Sequence, residues 1–199
     1  VLPDLHLHLQ WIGSSALLGI GGEYKRIKPQ TSSSRGYQVR ETLSSSAVIG
    51  YGKFHWKSLE VRAQGIYGEN LTDVLMLGGY AVSEKNPISG ALSFTNISTA
   101  AGWIDLTAGR TIRGGIFLGY TRNLGSEKEI SGSYFSRGAD IHWIYRIAPR
   151  LRIGSGNTQF ALELEHTAAA YGTPDSYGVV EQELDVSNTR LIFATFFHF

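Results

Sequence analysis

Over residues 58–67 the chain alternates without a slip, with Leu59, Val61, Ala63, Gly65 and Tyr67 on one parity and Glu60, Arg62, Gln64 and Ile66 on the other. A repeat of two sends successive side chains to opposite faces of a strand, so this stretch builds a ribbon with one greasy and one polar side. The same parity returns along the chain. Leu5, Leu7, Leu9 and Trp11 alternate with His6, His8 and Gln10, and Ala16, Leu18, Ile20 and Tyr24 alternate with Leu17, Gly19, Glu23 and Lys25. Residues 45–54, 99–108, 115–122, 136–147, 159–171 and 188–199 carry it further, which predicts nine strands and an all-β, antiparallel architecture.

Composition narrows where such strands can sit. Hydrophobic residues make up 42% of the chain, yet no stretch approaches the roughly 20 apolar residues of a membrane-spanning helix. A transmembrane β-barrel hides its apolar residues in alternation, lipid-facing then lumen-facing, so its average looks soluble; the mean hydropathy here is -0.09. The 24 glycines, 10 tyrosines, 9 phenylalanines and 4 tryptophans suit such a barrel, where glycine serves turns and aromatics form girdles at the membrane surfaces. A soluble β-sandwich is the competing architecture. The absence of cysteine leaves no disulfide framework. A formal charge of +1 gives no electrostatic case for nucleic acid.

The run Leu191-Ile192-Phe193-Ala194-Thr195-Phe196-Phe197-His198-Phe199 resembles the C-terminal signature of bacterial outer-membrane β-barrels, which the barrel-assembly machinery reads. That resemblance implies an outer-membrane location, with Phe197 and Phe199 as the assembly signal. The links between predicted strands agree with it by alternating in length: 13–14 short, 28–43 long, 55–57 short, 68–98 very long, 109–113 short, 123–135 long, 148–158 medium and 172–187 long. Barrels of this class have short periplasmic turns and longer external loops. Nine strands ending in the periplasm must begin outside, whereas bacterial single-chain barrels have even strand counts. Residues 1–199 are therefore expected to be one barrel domain forming the C-terminal portion of a longer chain. A tenth strand within 74–82 is the alternative. Val1-Leu2-Pro3-Asp4 lacks the basic start and apolar core of a leader.

The segments Gly102-Trp103-Ile104-Asp105-Leu106, Phe117-Leu118-Gly119-Tyr120-Thr121-Arg122-Asn123-Leu124-Gly125, Thr167-Ala168-Ala169-Ala170-Tyr171-Gly172 and Asn188-Thr189-Arg190-Leu191-Ile192-Phe193 resemble the C-terminal half of DcaP-like porins. The resemblance implies a homotrimeric, sixteen-stranded diffusion channel, with seven strands upstream of those seen here. It also makes loop 68–98 the segment expected to fold inward and narrow the pore. The expected partners are outer-membrane lipid, the assembly machinery and small hydrophilic, in some relatives dicarboxylate, solutes. No cofactor or metal is expected.

Pore-lining residues follow from parity. Glu60, Arg62 and Gln64 share one strand, Asp140, His142 and Arg146 another, and Glu163, Glu165 and Arg190 complete the set. Opposed charges across a wet lumen favour polar solutes. Arg110, Arg113, Arg137, Arg150 and Arg152 join Arg146 as candidates for an anion-attracting rim or lining, although 110, 113, 150 and 152 fall in or beside predicted turns, where solvation alone accounts for them. His6 and His8 share a strand face but read as solvated histidines, since a metal site needs further ligands. The tryptophans read as girdle residues, except that Trp103 shares a parity with Asp105. Two other function classes stand beside the channel. One is a non-conducting adhesive or structural barrel. The other is an outer-membrane hydrolase using His142 or His166 with Ser44–Ser46, Ser133 or Ser136, for which no motif brings a pair together.

Overall fold

The computed structural model describes residues 3–199, and every regular element in it is a strand. Val1 and Leu2, where the search for a leader begins, lie outside the described residues. The strands are β1 (Leu5–Ile12), β2 (Ala16–Ile27), β3 (Leu43–Trp56), β4 (Leu59–Glu69), β5 (Gly78–Lys85), β6 (Leu92–Gly109), β7 (Ile112–Ser126), β8 (Tyr134–Arg137), β9 (Ile141–Ser155), β10 (Thr158–Pro174) and β11 (Val180–Phe197). All belong to one antiparallel sheet. Nine of them form a meander in the order β1-β2-β3-β4-β6-β7-β9-β10-β11, while β5 pairs with β6 and β8 off that path. Among the described residues β1 and β11 are not joined, so the sheet is open.

The nine predicted strands are the nine of the meander, and the one predicted over 16–27 has those limits as β2. The prediction for 136–147 needs correction, because that stretch divides into β8 and the start of β9, which runs on to Ser155. The predicted strand stops two residues short of Pro149, which the observed one includes. Pro149 lacks the N–H that a central strand spends on its neighbour, and the β9–β10 ladder correspondingly passes from Arg150 opposite Glu163 to Ile147 opposite His166. Pairing with β7 continues through Pro149, opposite Ile116. The last strand also begins earlier than predicted. The links therefore become more regular: 13–15, 57–58, 110–111 and 156–157 at one end, 28–42, 70–91, 127–140 and 175–179 at the other. The alternative strand within 74–82 exists in shifted form as β5, outside the meander.

Register gives the sheet two unlike faces, since residues paired across a ladder point the same way. One face is apolar over most of its width, from β1 to β9. A single row across it reads Gly52, Ala63, Ile104, Leu118, Ile147; the row below reads Phe54, Val61, Leu106, Ile116, Pro149. These side chains have no cover: Leu9 is 63% exposed, Leu118 37% and Leu191 68%. Aromatic residues border the band. Tyr24, Tyr67, Tyr120, Trp143 and Tyr145 lie toward the long loops, and Trp11, Phe54, Trp56, Phe160 and Phe197 toward the short turns. From Tyr67 to Leu59, opposite Trp56, the band spans eight residues, about 26 Å along the strand.

The tightest burial lies elsewhere, among the long loops. Leu71, Leu77, Ala81, Val82, Phe94, Ile97 and Val180 are buried there. Tyr80 and Phe135 stack with centroids 5.2 Å apart, and Phe94 meets both edge-on. Backbone bonds tie the loops to one another, including Val82 N–H to Ser133 O, Ser131 N–H to Val82 O and Ile130 N–H to Ser176 O. Arg35 reaches the carbonyl of Ile88, joining loop 28–42 to the same cap.

Candidate functional site

The opposite face of the meander carries most of its ionisable groups, arranged in three adjacent rows. The first row reads Gln10, Gly19, Tyr51, Gln64, Trp103, Gly119, Arg146, Thr167 and Asn188. The second runs Lys53, Arg62, Asp105, Phe117, Ala148 and continues to Glu165 opposite Arg190. The third reads His55, Glu60, Thr107, Gly115, Arg150 and Glu163. Of the residues predicted to line a pore, Glu60, Arg62, Gln64, Arg146, Glu163, Glu165 and Arg190 are thus brought together on one face.

Two are not. Asp140 lies in the turn before β9, where its carbonyl accepts the Gly172 N–H. His142 falls at an irregularity, because Ile141 opposes Tyr171 while Trp143 opposes Ala170. The extra residue of such a bulge breaks the alternation. His142 consequently meets Glu183 through Nδ1 and accepts the Arg122 Nε–H at 3.0 Å, beside Trp143, whose indole N–H reaches Glu183 at 3.2 Å. His166 is on the apolar face too, within 2.7 Å of the Thr189 hydroxyl.

Ion pairs organise the polar face. Glu60 holds Arg62 at 2.5 Å and Lys53 at 3.0 Å. Glu165, with a side chain only 9% exposed, lies between Arg146 at 3.1 Å and Arg190 at 2.7 Å. Arg150 crosses β7 over Gly115 to reach Asp105 at 2.6 Å and the Thr107 hydroxyl at 3.0 Å. Among the described residues basic groups exceed acidic ones on this face, with Lys25, Lys53, Arg62, Arg113, Arg146, Arg150, Arg152 and Arg190 against Glu23, Glu60, Asp105, Glu163 and Glu165, eight to five. Arg110 is in the short turn beyond them, and Arg137 ends β8 in the cap.

Part of the very long link crosses this face. Residues 70–77 leave β4 through a π-turn, Met76 N–H to Leu71 O, and the Thr99 hydroxyl fastens the far end by donating to Leu77 O at 3.0 Å. Lys25, on β2, supplies the middle anchor. Its side chain is 6% exposed, and the ammonium lies 2.6 Å from the Asn70 carbonyl, 2.5 Å from Asp73 and 3.7 Å from Glu23. Burial alone would raise the Asp73 carboxyl, but the hydrogen bond and charge of Lys25, with the backbone N–H groups of Asp73 and Val74, outweigh it and hold the group below its ordinary value. Val74 overhangs Ile49 and Ile66, and with Met76 it closes a cleft of about 420 Å³ over Trp103 and Phe117.

Sequence reading missed Lys25, Asp105, Lys53 and the Trp103–Phe117 pair as members of one surface. The parity of each was legible. Their company depends on register, which no single strand records. Trp11, Trp56 and Trp143 border the apolar band as expected, whereas Trp103 lies on the polar face. His8 joins Tyr51, with ring centroids 5.4 Å apart. Comparisons with protein-family models, curated proteins and solved structures find no match.

Proposed function

We propose that the sheet is the wall of a bacterial outer-membrane channel through which small hydrophilic solutes, anions preferred, diffuse passively. The observation that carries this reading is the pairing of an exposed apolar face, bordered by aromatics at both ends, with an opposite face of ion pairs. Water makes the first face costly, since each large side chain withheld from burial forgoes about 1.5–3 kcal/mol. Lipid removes that cost, and an arginine on the same face would add about 2–4 kcal/mol at mid-bilayer. The bare edges of β1 and β11 support closure into a barrel through further strands, because a long open sheet invites uncontrolled pairing. Segment 70–77, lying across the polar face, suits a constriction that sets the limiting radius.

A polar interruption of the apolar face favours assembly into a homotrimer, the state implied by the porin resemblance. Arg122, His142, Glu183, His166 and Thr189 cluster toward the β9–β11 edge, and a second copy would cover them better than acyl chains would. The terminal phenylalanines, Phe197 and Phe199, are assigned to the assembly signal.

Single-channel current in a planar bilayer, with natively extracted protein, tests the channel reading. Large stepwise openings support it. Silence from verified, inserted protein would leave a non-conducting adhesive barrel, the reading that the compact loop cap otherwise favours. Deleting residues 72–75 should raise conductance and the solute size limit; unchanged values would refute the constriction assignment.

A further inference from the structure

The polar face holds one feature that bulk ion passage does not need. Trp103 and Phe117 lie in the midst of its charged rows with ring centroids 6.0 Å apart and planes inclined by 29°. The space they occupy is prepared by Gly119, opposite Trp103, where a Cβ would come within 2.9 Å of the Phe117 ring. Gly119 therefore lets that ring lie flat against the strand. Val74 and Met76 roof the pair, leaving the cleft of about 420 Å³, within the range that holds small ligands.

We propose that this cleft is a binding subsite for an uncharged planar ring, held between the Trp103–Phe117 floor and the Val74–Met76 roof. Aromatic floors favour flat partners in offset or edge contact over bulky saturated ones. The charged groups at the margin are already engaged, Arg146 with Glu165 and Thr167 and Arg150 with Asp105. They therefore do not call for a charged ligand. The subsite rests on the channel reading and would make passage of such solutes saturable.

Fluorine NMR of the full-length protein carrying 5-fluorotryptophan tests it, with phenol as the probe and cyclohexanol as the saturated control. The Trp103 resonance is assigned by its disappearance in Trp103→Phe. Phenol should shift that resonance along a saturating curve, at least fivefold more tightly than cyclohexanol. Phe117→Leu should weaken phenol at least threefold. Parallel, non-saturating shifts of every tryptophan would mean partition into detergent and overturn the subsite, as would equal binding of phenol and cyclohexanol. The measurement is independent of conduction. Saturable binding with no bilayer current would keep the subsite and remove the channel, and current without binding would do the reverse.

Discussion

The loop cap and the sheet wall solve opposite problems with the same residue types. In the cap, Phe94, Ile97, Leu71 and Val82 turn inward onto one another, as in any water-soluble protein. In the wall, Leu9, Leu118, Leu164 and Leu191 turn outward and the charges collect on the other side. The difference is one of solvent. A cap held by its own packing should keep its shape whatever surrounds the wall, whereas the wall's order depends on what covers its apolar face.

The largest expected effect breaks the cap alone. Phe94→Ala removes a ring that meets both Tyr80 and Phe135, and a buried Phe→Ala change costs about 3–5 kcal/mol. Limited proteolysis should then cut within 70–91 and 127–140 while the strands of the wall stay protected. Cleavage throughout would show that cap and wall fold as one unit. The next effect belongs to the wall. Leu164 and Glu163 are neighbours on opposite faces, Leu164 midway along β10 between Ala168 and Phe160. Leu164→Arg should lower stability in lipid vesicles by about 2–4 kcal/mol, measured by urea titration, and Glu163→Arg should change it far less. Equal losses would mean that neither face meets lipid.

Period two was legible because it is local, and with it came the meander, the short-turn end and seven of the nine residues assigned to the polar face. The misses have non-local causes. The alternation fades after Ile147, yet β9 runs on through Pro149, which keeps its pairing on the β7 side and gives up only ladder contacts toward β10. His142 sits at a bulge, and one extra residue is enough to reverse a side chain. β5 and β8 are short and are defined by each other, Tyr80 opposite Phe135, across a separation in sequence that no periodicity spans. Lys25 was visible as a polar-face residue, but the turn that buries it arrives from 45 residues away.

A smaller effect sharpens the comparison from the polar side. Basic groups outnumber acidic ones there, and an excess of fixed positive charge concentrates anions in a wet passage. Arg62→Gln with Arg146→Gln should move the reversal potential in a salt gradient toward cation preference, while Leu164→Gln on the other face should leave it in place. No movement in the double variant would sink the anion bias.

The smallest effect concerns a place where cap and wall are joined by charge. Lys25 belongs to the wall, and Asp73 and Asn70 to the link that enters the cap; Glu23 is the other titratable group facing the ammonium. Because the Asp73 carboxyl is held below its ordinary value, its stabilisation is fully present above about pH 4 and is lost as pH falls through the lowered value. Conductance should therefore stay level from neutral pH to about pH 5 and rise only below about pH 4, as segment 70–77 loosens. Asp73→Asn should abolish that acid step while keeping the neutral-pH conductance near the loosened level. The carbonyl of Asn70 still accepts from Lys25 in that variant, so the segment should loosen without leaving the face, and a full-sized opening would show that Asp73 is its main anchor.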